Sequence, residues 1–277
     1  MSNYHCLVAG LPDIVFDGAK CAFSVERFKD EVYPSLSAED ARVVDLILLE
    51  RDNANILNIL RHGEDAVLKD YGCYSRDGLF AIVESAKCGD AAAKGVPQYL
   101  YDFVEQYLAN EQQANIVWEN VLSARYYEYA MRCPNSFVSD WFTFNLNVNN
   151  ILVAYTARKY RLSIEDAVVG DNEVAVALRT SGARDFGLTG ALDYFEDVVR
   201  LSENGRLQER ERQLDAMRWR WLEENSVFCY FSVERLFVFL QQLVVVERWA
   251  ALDAESGMAR YNEMIDGLKK GMDAPAV

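Results

Sequence analysis

The stretch from Ser232 to Asp253 constrains this chain more than any other. Leu236, Leu240, Leu243, Glu247 and Ala250 fall on one line of a helix, and Phe237, Phe239, Val244, Val245 and Val246 cover its other faces. A helix that is apolar nearly all round leaves no side for water, so it belongs at a centre with other elements around it.

Those elements read as further helices, because prolines are few and apolar residues recur at helical rather than strand spacing. Ser37-Ala38-Glu39-Asp40 has the form of a capping box and opens a helix through Val43, Val44, Ile47 and Leu48 to Leu60, which Arg61, His62 and Gly63 end. Pro97 suits a first helical position ahead of the stripe Tyr99, Leu100, Phe103, Val104 and Tyr107. An aromatic-rich helix is expected from Ala114 to Arg132, stopped by Pro134, and another from Asn135 or Ser136 to Lys159. Ser163-Ile164-Glu165-Asp166 is a second capping box, with Gly170 closing its helix. Residues 179–190 hold three glycines and no period, so they read as turns, with helix resuming near Leu188. The last third divides into Gly205–Asn225, Ser232–Asp253 and Gly257–Gly271, an antiparallel group joined by brief links. The expected fold is all-α, one multi-helix domain over residues 1–277 with no low-complexity linker to divide it.

One short echo crosses this pattern. Asp52-Asn53-Ala54-Asn55-Ile56-Leu57 returns 95 residues later as Asn147-Val148-Asn149-Asn150-Ile151-Leu152, close to a third of the chain. Asparagine is a poor helix-interior residue because its amide competes for backbone groups, so two such patches before Ile-Leu suggest internal repeats of roughly 90–95 residues.

Charge narrows the partners. With 43 acidic against 28 basic residues the net charge is −15, which disfavours nucleic acid because phosphate binding draws on clustered Lys and Arg. No apolar run reaches the roughly 18–20 residues of a membrane span; the nearest, Leu236 to Val246, is interrupted by Gln241 and Gln242. The first residues lack a basic n-region and meet Pro12 and Asp13 after a short apolar run, so a cytoplasmic location is expected. The six cysteines are scattered without metal-ligand spacing and are expected to be reduced and mostly buried.

Chemical motifs are absent. There is no phosphate-binding Gly-rich loop, no G-x-G-x-x-G, no H-E-x-x-H, no EF-hand loop, no G-x-S-x-G, no paired Glu-x-x-His and no D-D-x-x-D run. No catalytic, cofactor-binding or metal-ligating residue is therefore assigned, and no cofactor is expected. Of the two histidines, His62 reads as a helix-end cation, while His5 has no assignable partner. Glu209, Glu211, Glu223 and Glu224 alternate with Arg206, Arg210, Arg212, Arg218 and Arg220, the pattern of a solvated helix face. On that helix Leu214, Met217 and Trp221 form a core stripe, leaving Trp219 on another side with Arg212 and Asp215. Trp219 either packs on a second neighbour or faces a partner; an exposed tryptophan among arginines has the composition of an interface hot spot, so Trp219, Arg212 and Asp215 form the candidate interface. Glu234, Arg235, Gln241, Gln242, Glu247 and Arg248 on the apolar helix call for internal pairing.

Several stretches together resemble a known group. Tyr4 to Asp13, Asp52 to Asn55, Tyr126-Tyr127-Glu128, Asn149-Asn150-Ile151 with Arg158-Lys159, Asp185 to Leu188 and Glu247-Arg248-Trp249 are similar to an uncharacterised bacterial family encoded beside V/A-type ATPase subunits, itself remotely similar to the C subunit of that motor, subunit d in eukaryotes. The resemblance runs from about residue 4 to about 270. It implies a funnel of three pseudo-repeated helical units and a non-catalytic part of an ion- or proton-transporting motor, with the central-shaft subunits and the membrane rotor ring as partners. It also implies a peripheral position at the inner membrane, reached through protein contacts without direct membrane insertion. The chain is short for a C subunit and lacks a convincing third asparagine patch. Two other classes fit the residues: a free-standing helical enzyme holding a divalent metal in an acidic cleft, and a soluble helical adaptor.

Overall fold

The structure, a computed structural model, describes residues 4–16, 22–110, 113 and 116–272, with side chains of the last helix up to residue 252. Among the described residues every regular element is helical. A short α1 (His5–Gly10) precedes α2 (Val25–Arg27), which runs on through a π turn (Phe28–Val32) and a 3-10 turn (Tyr33–Ser35). Then come α3 (Ala38–His62), α4 (Arg76–Cys88), α5 (Gln98–Ala109), α6 (Trp118–Met131), α7 (Ser136–Tyr160), α8 (Ile164–Ala167) and α9 (Glu173–Thr180). The chain closes with α10 (Phe195–Glu203), α11 (Leu207–Asn225) and α12 (Val233–Met272).

The expected central helix is central. Leu236, Phe237, Val238, Leu240 and Leu243 of α12 are fully buried, and Phe239 nearly so. α12 packs along α3 and touches α2 and α11, while α7 is gripped by α6 and α10. Phe237 meets the ring edges of Phe137 and Phe142 on α7, and Phe239 meets Phe23 and Phe28 from the N-terminal segment.

Helix starts follow the chemistry of their caps. The side chains of Ser37, Ser75, Asn135, Ser163 and Asn172 each accept from the backbone N–H three residues on, satisfying a donor that the helix itself leaves open, about 1 kcal/mol apiece. Tyr4 reinforces the first of them: its hydroxyl donates to Asp40 Oδ2 at 2.5 Å and accepts from the Ser37 N–H at 3.1 Å. α3 ends at Gly63, whose φ of 57° and ψ of −132° a side chain would resist.

The three longest helices begin at residues 38, 136 and 233, 98 and then 97 residues apart. Each carries a polar side chain that seizes the backbone of another segment. Asn55 in α3 donates to Lys69 O at 2.9 Å and accepts from Lys69 N at 2.7 Å. Asn150 in α7 does the same with Val169, at 2.7 and 2.9 Å. One turn earlier, Asp52 accepts from the N–H groups of Cys73 and Tyr74 just ahead of the α4 cap, and Asn147 accepts from the Asn172 side chain that caps α9. In α12, Glu247 accepts from Val25 N at 2.8 Å, the first residue of α2.

Several sequence expectations need correction. Gly257 does not divide the last helix: α12 runs 40 residues through it, since one internal glycine costs about 1 kcal/mol and no proline accompanies it. α6 begins at Trp118, four residues beyond the expected Ala114, which lies outside the described residues. Pro97 is the cap of α5 rather than its first residue. α10 starts at Phe195, not near Leu188, because Phe186, Gly187 and Gly190 all take positive φ and keep that stretch in turns. The short α8 ends at Ala167, before Gly170. The sequence pattern predicts no counterpart for α1, α2, α4 and α9. Of the cysteines, Cys6 and Cys88 are exposed and Cys73, Cys133 and Cys229 half-buried, all unpaired; Cys21 lies outside the described residues.

Candidate functional site

Five helices turn polar side chains toward one cavity of about 230 Å³. α3 supplies Glu50, α6 Tyr127, α7 Asn145 and Asn149, α11 Asp215 and Arg218, and α12 Gln241 and Arg248, with Trp141, Phe142 and Trp219 as apolar walls. The spacing explains the convergence: Asn145 and Asn149 lie four apart on α7, and Asp215 and Arg218 three apart on α11, so each pair shares a face.

Arg218 is the hub. Its Nε donates to Asn145 Oδ1 at 2.9 Å, one terminal nitrogen to Asn149 Oδ1 at 2.8 Å, and the other to Asp215 Oδ1 at 3.2 Å. Asn149 in turn donates to the Tyr127 hydroxyl at 3.1 Å. The second oxygen of Asp215, a residue only 1% exposed, accepts from Trp249 Nε1 at 2.8 Å and from the Arg248 guanidinium. A carboxylate so enclosed needs such partners, because desolvation otherwise exceeds the attraction of a single cation. Arg218, read from the sequence as part of a solvated face, instead points inward. Its three-residue offset from Asp215 was the available signal.

Glu50 occupies the opposite wall. The residue is exposed, and it also borders a second cavity with Asn53, Leu57 and Glu119. The protein packed around this wall raises its pKa, with the charge of Arg218 pulling the other way. The Tyr126 hydroxyl lies 3.4 Å from Glu50 Oε1 but makes its shorter bond, 2.6 Å, to Leu46 O. Burial also raises the Tyr126 and Tyr127 hydroxyls, which stay protonated; Tyr126 donates while Tyr127 accepts from Asn149. The site thus sets two carboxylates against two guanidiniums, with no imidazole: His5 and His62 are exposed elsewhere. Among the described residues no three His, Cys, Asp or Glu side chains converge as metal ligands. The bonds around Arg218 and Asp215 tie α7, α11 and α12 together.

The residues expected to face a partner lie mostly inside. Trp219 is 6% exposed, donates from Nε1 to Glu223 at 2.8 Å and receives the Phe16 ring at 5.4 Å. Arg212 lies over the rings of Phe16 and Trp249. Trp221, on the far side of α11, stacks on Phe144 at 5.3 Å. Trp219 is packed because Phe16 of the N-terminal segment covers the side of α11 that periodicity leaves free, whereas Trp221 packs on α7. Neither Trp219 nor Asp215 is an exposed anchor.

Exposed aromatic surface occurs instead in the link from α11 to α12. Val227, Phe228, Tyr230 and Phe231 are all exposed, Phe228 at 87%. The sequence reading passed over them, although an apolar run where a polar link was expected is itself a signal.

An all-helical protein with a charge-paired polar interior and an aromatic link between its last two helices is the class that fold and site define. The chain belongs to the family described as protein of unknown function (DUF2764), whose profile matches residues 1–272. No curated protein and no solved structure matched it. No helix is long and apolar enough to cross a membrane among the described residues.

Proposed function

We propose that this chain is a non-catalytic accessory or subunit of a V/A-type rotary ATPase, similar to the C subunit, coupling the central shaft to the membrane rotor ring. In this reading it is a cytoplasmic protein held at the inner membrane through protein contacts. One observation carries the proposal: three long helices begin 98 and 97 residues apart, and each holds the backbone of another segment through a mid-helix polar side chain. This supports three pseudo-repeated units, the organisation that the resemblance to C subunits implies. The third unit borrows its partner segment from the start of the chain, where Val25 meets Glu247, and that accounts for the lack of a third asparagine patch. The charge-paired interior suits a part that transmits force, since its ionic groups are spent on joining helices.

Native mass spectrometry of motor complexes solubilised from the source organism tests the proposal. The chain is expected in stoichiometric amount with shaft subunits. Intact motors that never contain it would end this reading in favour of an unrelated adaptor or a metal-dependent enzyme.

A further inference from the structure

Residues 226–232 join α11 to α12, and such links ordinarily carry polar turn residues. Here the sequence is Ser-Val-Phe-Cys-Tyr-Phe-Ser, with no charge and with Phe228 87% and Tyr230 63% exposed. The backbone is held in place. Ser226 N donates to Leu222 O, Cys229 N to Ser226 O at 2.9 Å, and Tyr4 N to Phe231 O at 2.9 Å, while the His5 ring lies 4.0 Å from that of Phe231. The aromatic rings therefore project from an ordered platform, which lowers the entropy lost when a partner covers them.

We infer that this link is a docking surface for a protein partner that offers an apolar socket rimmed by basic side chains. The inference rests on the motor-accessory reading above and places the partner within that complex. Large aromatic side chains in a desolvated socket dominate binding energy, so Phe228 and Tyr230 are the anchors. The charge of the surroundings selects the occupant. Glu223 and Glu224 precede the link and Glu234 follows it, outnumbering Arg220 and Arg235 in the same flanks, on a chain of net charge −15. A second copy would bring identical acidic flanks together, and anionic lipid would be repelled. A basic rim meets the acidic flanks while its socket takes the rings.

The test uses motor complexes purified from a strain of the source organism lacking this chain, titrated with the full-length protein and with a Phe228→Ser/Tyr230→Ser variant. Both side chains are exposed, so the variant should retain the wild-type melting curve. The wild type is expected to bind with an affinity that falls as salt rises, and the variant at least tenfold more weakly. Sedimentation with phosphatidylglycerol-containing vesicles and sedimentation velocity of the protein alone are run in parallel. Equal binding of both proteins overturns the docking surface and leaves the motor reading standing. Absence of wild-type binding overturns both. Vesicle binding or self-association that disappears in the variant assigns the link to lipid or to a second copy, and also overturns the inference.

Discussion

Asn55 and Asn150 stand 95 residues apart and make the same contact: each side-chain amide donates to and accepts from the backbone of a single residue, Lys69 in one case and Val169 in the other. Both asparagines are 2% exposed. An amide used in this way stands in for a strand partner, binding an extended segment to the side of a helix without any sheet. It also explains why a residue that weakens helices sits at the middle of two of the longest ones.

Removing either amide leaves the partly buried N–H and C=O of Lys69 or of Val169 without their partner. Asn55→Ala and Asn150→Ala are each expected to cost about 2–4 kcal/mol. Asn58→Ala, which gives up one exposed bond to Val67 O, is expected to cost about 0.5–1 kcal/mol. Urea unfolding of the three variants checks the order. Equal costs across the set would show that the paired amides do not hold these segments.

Asp215 serves two guanidiniums and an indole. Asp215→Ala strands Arg218 in the interior and is expected to cost about 3–5 kcal/mol. Asp215→Asn keeps the shape and an acceptor oxygen and should cost less. The comparison is read from denaturant midpoints, and an alanine variant as stable as the asparagine one would remove the ionic part of this account.

Burial raises the pKa of Asp52, which is fully enclosed, and of the partly buried Asp45. In the window between the ordinary carboxylate range and these raised values, the folded chain binds more protons than the unfolded one. Stability supplied by these groups is therefore present at acid pH and lost as pH rises through the folded values. Asp52→Asn removes one such group, so its melting temperature should gain on the wild type at pH 7.5 relative to pH 4.5. An offset independent of pH would refute the assignment.

Two glycines on either side of the Ser75 cap of α4 should respond in opposite directions. A Cβ at Gly72 would fall 2.1 Å from Asp52 Oδ1, so Gly72→Ala displaces the carboxylate that holds Cys73 and Tyr74 and is expected to destabilise by about 1–3 kcal/mol. At Gly78, in the first turn of α4, a Cβ meets only ordinary contacts, and Gly78→Ala should stabilise by about 0.5–1 kcal/mol. Thermal melts of both variants settle the contrast.

Much of the architecture was legible where a cap and a long apolar stripe coincide. Ser37 and Asn135 announce α3 and α7 to within a residue, and the all-round apolar stretch identifies α12 as central. What stayed hidden depends on contacts distant in sequence. The eight residues of α9 are too few for a stripe to emerge, although Asn172 caps it correctly. Trp219 is buried because Phe16 arrives from some two hundred residues away, which helical periodicity does not encode. Arg218 was indistinguishable from its solvated neighbours until α7 supplied Asn145 and Asn149. The Asn55 and Asn150 echo was visible as six similar residues, but its meaning lay in the backbone groups those amides hold.

The hydrogen bond from Val25 N to Glu247 spans 222 residues. A ribosome adding about 5–20 residues per second needs roughly 10–45 s to make that interval. Throughout it the first segment of the chain, with Phe23 and Phe28, waits for the helix it packs on. Residues 23–28 therefore cannot complete their native contacts until α12 has been made, although Tyr4 and Tyr33 find their α3 partners early. During synthesis those aromatic residues are exposed to chaperones or to mispairing, and folding of the whole is expected to be slow for a helical protein.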